Sequence, residues 1–119
     1  MTLGPNRTTE AAGGTTAATD SRVYAEFWIS LASLLRSYTA AHGLGGNRHA
    51  VVEADEDRIT VRFEEKWLRL DRDGAIVIWT RENRGNGKLE FTESGRLRDG
   101  TIEEEMDMAA EAWARELMR

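Results

Sequence analysis

The feature that most constrains this chain is the order of its hydrophobic periods. Residues 21–42 carry apolar side chains at helical spacing, residues 50–97 alternate with period two, and residues 102–117 return to the helical period. A helix must bury one stripe and a half-buried sheet must bury one face. The order therefore predicts an α+β domain: a two-layer sandwich, with an antiparallel sheet of four or five strands and the N- and C-terminal helices packed on one face. It narrows the fold without narrowing the chemistry.

The first helix is expected to begin at Asp20 or Ser21, either of which can cap it. Tyr24, Phe27, Trp28, Leu31, Leu34, Leu35 and Tyr38 recur three and four residues apart. With Val23 they cover an arc of roughly 140°, wide enough to lie on a sheet. Gly43, Gly45 and Gly46 end the helix. Residues 1–19 are rich in Thr, Ala and Gly, with Leu3 the only large aliphatic beyond Met1. Such a segment cannot offset its ordering entropy by burial. It is expected to be a disordered tail, leaving residues 20–119 as a single domain.

Residues 50–54 give the first candidate strand. In residues 58–63 the alternation places Ile59, Val61 and Phe63 on one face. Leu68 and Leu70 oppose Trp67 and Arg69 in the next segment, and the turn Asp71-Arg72-Asp73-Gly74 follows. Residues 75–79 are apolar on both faces, as a central strand would be. Residues 81–87 read as a polar loop, residues 88–92 as a strand and residues 96–98 as a short edge strand. Asp99-Gly100 is expected to end the sheet. Thr101 would then cap the last helix, with Glu104 completing a capping box and Ile102 opening its apolar stripe.

Composition excludes several functions. The chain is 119 residues long, with 40% apolar and 31% charged residues and a formal net charge of -5. One soluble globular domain fits those values, whereas general binding to duplex nucleic acid requires a basic face. There is no cysteine, so disulfides, thiolate nucleophiles and cysteine-held metals are ruled out, and a cytoplasmic setting fits. No secretory leader is apparent at the N-terminus. The most apolar stretch, residues 27–35, falls far short of the roughly 20 residues a membrane span requires.

No catalytic motif stands out, and no cofactor is expected. His42 and His49 are the only histidines. Their places at a helix end and a strand start favour capping or packing over catalysis. Gly85-Asn86-Gly87-Lys88 lacks the outer residues of a phosphate loop and reads as a hairpin. The acids Glu53, Asp55, Glu56 and Asp57 could hold a hard cation weakly, but their spacing is not that of a calcium loop. A solvated turn is the simpler reading.

The more informative constellation is the sheet face turned away from the helices. If Ile59, Val61, Phe63, Leu68 and Leu70 face inward, then Arg62, Trp67 and Arg69 face outward. On the central strand either Ile76 and Ile78 or Val77 and Trp79 must join them. Tryptophan and arginine dominate many interfaces, so Arg62, Trp67, Arg69 and Trp79 are the candidate binding residues. The competing reading is an open sheet whose arginine stems simply cover the indoles. Residues 58–98 hold ten basic and seven acidic residues, whereas residues 102–119 hold six acids and two arginines. A basic sheet would favour an acidic protein surface over a single strand of nucleic acid.

The segments Ile59-Thr60-Val61-Arg62-Phe63 and Val77-Ile78-Trp79-Thr80, set between two helices, are similar in layout to the frataxin architecture. That resemblance implies an iron-associated accessory protein docking through its sheet, with Trp79 at the contact. The chain departs from it in the first helix, which has Asp20 and Glu26 in place of an acidic ridge. Likeness of shape alone does not license function. The leading expectation is a non-catalytic protein-binding or adaptor module that docks a partner, or a second copy of itself, through the open face. A metal-associated accessory role and a small enzyme with a pocket between helix and sheet are the alternatives.

Overall fold

The computed structural model describes residues 14–82 and 85–119. Helix α1 spans Gly14–Gly43 and is followed by one 3-10 turn, Leu44–Gly46. Seven strands come next: β1 Val51–Ala54, β2 Arg58–Phe63, β3 Lys66–Asp73, β4 Ile76–Arg81, β5 Gly85–Phe91, β6 Arg96–Asp99 and β7 Ile102–Glu105. Helix α2, Met106–Leu117, ends the order. All seven strands form one antiparallel sheet, and every strand pairs with its neighbour in the chain.

The core lies between one face of this meander and the two helices. Ile59, Val61, Leu68, Leu70, Val77, Phe91 and Leu97 are buried from the sheet side. Trp28, Leu31 and Leu35 meet them from α1, and Ala109, Ala110, Ala114 and Leu117 from α2. Small residues on α2 let it lie close to its neighbours. Tyr24 stacks on Phe91 with ring centroids 6.4 Å apart, and Phe27 meets the same ring at 5.8 Å. The Trp28 indole donates its Nε1–H to the Asp55 carbonyl at 2.8 Å, tying α1 to the turn between β1 and β2. The helices run in the same sense where they touch, since Tyr38 bonds Asp107 and, one turn on, His42 bonds Glu111.

The α+β class and the antiparallel sheet agree with the sequence reading. The strand count does not: the sheet has seven strands, not four or five. One added strand comes from residues assigned above to the last helix. Asp99 pairs with Ile102 across the two-residue turn Gly100-Thr101, and Gly100 has φ +65°. Glycine adopts that conformation without the clash a Cβ would bring, so Asp99-Gly100 makes a hairpin where the sequence reading ended the sheet. Glu103 and Glu105 lie opposite Arg98 and Arg96 in this pairing. Arg96 reaches Glu105 and Glu103 across this hairpin, and residues 102–105 extend the sheet instead of the helix. Thr101 and Glu104 consequently form no capping box, and α2 starts at Met106.

Residues 81–87 are not a loop throughout, because β4 runs to Arg81 and β5 starts at Gly85. At the other end, α1 begins at Gly14, ahead of the Asp20–Ser21 start. Helix propagation costs little once a packed segment has nucleated it. Residues 14–19, assigned above to the tail, are thus helical, while residues 1–13 lie outside the described residues.

Candidate functional site

Strand register assigns every side chain to a face. Ile59 opposes Leu70 and Val61 opposes Leu68 on the helix side, which leaves Thr60 opposite Arg69 and Arg62 opposite Trp67 on the other. Neither of the described helices covers that second face. Trp67 is half-buried there, and its backbone N–H donates to Glu82 Oε1 at 2.7 Å. Arg62, Trp67 and Arg69 therefore share one surface, as the alternation predicts.

Trp79 does not join them. It opposes Leu70 on β3 and Gly87 on β5, and both positions belong to the helix side. The open face instead receives Ile76, Ile78 and Thr80 from β4. The sequence could not make this choice, because both faces of residues 75–79 are apolar. The signal that decides it is Gly87. A Cβ at that position would lie 2.4 Å from Trp79 Nε1 and 2.6 Å from Cε2, so the indole occupies the space that a side chain would need.

Charge on the open face is balanced. Arg58, Arg62, Arg69, Lys88, Arg96 and Arg98 are matched by Glu53, Asp71, Asp73, Glu90, Glu103 and Glu105. Most of these side chains are paired. Arg58 and Arg69 converge on Asp71 at 2.7 and 3.0 Å, Arg62 reaches Glu53 at 3.1 Å, and Arg98 reaches Glu90 at 2.7 Å. Arg96 contacts Glu105 at 2.7 Å and Glu103 at 3.8 Å. The expected basic character of the sheet is thus cancelled, because β7 lies in the sheet and brings its glutamates with it. Among the described residues no arginine lies over the Trp67 ring. The cation–π contacts found among them are Arg48 over Phe63 at 4.4 Å and Arg72 over Trp28 at 5.9 Å, both on the helix side.

On the helix side, Trp79 and Trp113 line a cleft of about 280 Å³ with Leu89, Leu97 and Ile102. Asp99, Glu104 and Glu116 stand at its edge. Its size falls just below the range of roughly 300–1,000 Å³ usual for small-molecule sites. Glu116 also bonds the buried Arg81, whose Nε has no partner among the described residues. The groups an enzyme reading would recruit are engaged elsewhere. The Tyr38 hydroxyl donates to Asp107, which holds its pKa above the ordinary tyrosine value. His42 contacts Glu111 at 2.9 Å.

In the acidic turn, the Asp55 carboxylate is bonded to the turn's own backbone. Asp55 Oδ1 accepts N–H bonds from Asp57 at 3.0 Å and Arg58 at 2.8 Å, and these hold its pKa below the ordinary aspartate value. Among the described residues, no group of three or more His, Asp and Glu side chains is placed to hold a metal ion. No described helix is long and apolar enough to cross a membrane. No family model, curated protein or solved structure matches this chain.

Proposed function

We propose that this domain is a non-catalytic docking module whose uncovered sheet face receives another protein. The observation that carries this reading is the placement of Trp67, opposite Arg62 and beside Arg69, on a face that neither helix covers. Trp79 is not part of the surface. Ile76 and Ile78 supply its apolar centre, ringed by arginines and carboxylates that are already paired. A partner surface of mixed charge suits such a grid better than a strongly acidic one, because each ion pair can exchange a contact without leaving a charge alone. The absence of cysteine fits a cytoplasmic setting for this role.

The test is capture of a partner by the immobilised full chain, with the partner identified by mass spectrometry. The double variant Trp67→Ser and Arg69→Ser is expected to lose that partner while keeping its thermal transition. A control, Met108→Ser, lies on α2 away from this face and is expected to keep it. Retention by the double variant would remove the open face from consideration.

A further inference from the structure

We propose that β1 is a self-association edge, where a second copy of this chain adds its own β1 antiparallel across a two-fold axis. The meander leaves two edges, and they are built differently. All four residues of β7 are exposed and three are glutamates, a charged edge of the kind that discourages strand addition. In β1, Val51-Val52-Glu53-Ala54, the single charge is Glu53, which Arg62 holds from the neighbouring strand. Val51 is half exposed. Lysine and proline, the usual guards of an edge, are missing from it.

The flanks of β1 make this edge complementary to itself. Arg48 and His49 precede the strand, and Asp55, Glu56 and Asp57 follow it. Antiparallel pairing sets the basic end of each copy against the acidic end of the other, twice, whereas parallel pairing sets like against like. Pairing must also keep the inner face inward, which limits the register to alternate positions. With Val52 on the axis, Ala50 faces Ala54 of the second copy, His49 faces its Asp55, and Arg48 meets its Glu56 by turning off the Phe63 ring that it covers in the single chain. A shift that puts Glu53 on the axis brings two glutamates together. A shift to Val51 leaves Glu56 without a cation.

The ground beside the strand is open and partly apolar. A groove of about 620 Å³ runs between α1 and the β1 end, lined by Ala25, Ile29 and Ala32 from the helix and Ala54 from the strand. Ile29 is 67% exposed at its border. A two-fold contact of this kind is closed, so assembly stops at two copies and yields one continuous sheet. The acidic β7 edges stay free at its ends. Pairing β7 with β1 would instead give an open filament, with glutamates lying along Val51 and Val52.

Sedimentation equilibrium of the full chain tests the proposal, with circular dichroism to verify folding. Wild type is expected to be a concentration-dependent dimer. Arg48→Glu and Glu56→Arg are each expected to raise its dissociation constant roughly tenfold or more, by replacing two attractions with two repulsions. An equimolar mixture of the two variants is expected to recover the dimer, since each arginine then meets a carboxylate on the other chain. Wild type that remains monomeric at about millimolar concentration would overturn the proposal. So would charge reversals without effect, a mixture that fails to recover, or a dimer lost instead through Trp67→Ser.

Discussion

Gly87→Ala is the sharpest test of where Trp79 sits, because two physical effects predict opposite signs. In a strand, replacing glycine with alanine usually stabilises by about 0.5–1 kcal/mol, since glycine loses more backbone freedom on folding. Here the new methyl would meet Trp79 Nε1 at 2.4 Å, Cε2 at 2.6 Å and Cζ2 at 2.7 Å. Ordinary carbon contacts begin near 3.5 Å, so the ring must shift by about 1 Å. Overpacking of that kind costs about 1–3 kcal/mol. The steric effect wins, and a net loss of about 1–2 kcal/mol is expected, or roughly 5–10 °C in the melting temperature of a domain this size. Thermal melts by circular dichroism, with tryptophan emission in parallel, supply the readout. Repeating the substitution in a Trp79→Ala background removes the obstacle, and there it should be neutral or stabilising. Equal gains in both backgrounds would show that the indole is not seated on Gly87, and the assignment of faces on β4 would fail with it.

Arg81 and the acidic turn give two further expectations. Glu116→Ala strands a guanidinium whose side chain is 7% exposed, and about 2–3 kcal/mol of stability should be lost, discounted because Glu116 itself is 44% exposed. Arg81→Met removes cation and carboxylate partnership together and should cost less than Glu116→Ala; urea titration separates the two, and the reverse order would refute a buried, uncompensated charge. Asp55, whose folded pKa is depressed by the Asp57 and Arg58 N–H groups, contributes stability above the ordinary aspartate pKa and loses it as pH falls through the folded value. Amide shifts of Asp57 and Arg58 should therefore move only below the ordinary range, and a midpoint at or above it would rule out the capped turn.

Where one physical signal dominated, the fold was legible in the sequence. Ile59, Val61 and Phe63 alternate against charged neighbours, so their direction, and that of Trp67 and Arg69 on the next strand, followed from period two. Residues 75–79 offered no such contrast, and Trp79 was settled only by a cross-strand glycine that a linear reading treats as loop. Thr101 and Glu104 form a good local helix start, yet Arg96 on the preceding strand contacts Glu103 and Glu105, and pairing in the sheet overrode local preference. The Trp79–Trp113 cleft was missed for the same reason. Ile102 lines it from a strand, although spacing had assigned that residue to a helical stripe.

The meander has a consequence for biosynthesis. Each hairpin can zip onto the last as it emerges, because every pairing is between neighbours in the chain. The lid over Leu97 and its surroundings, however, comes from α2, whose Leu117 and adjoining Met118 are buried. A nascent chain on the ribosome thus exposes a greasy, half-roofed platform until residues 106–118 have left the exit tunnel, and that interval is when it is most vulnerable to clumping or chaperone capture.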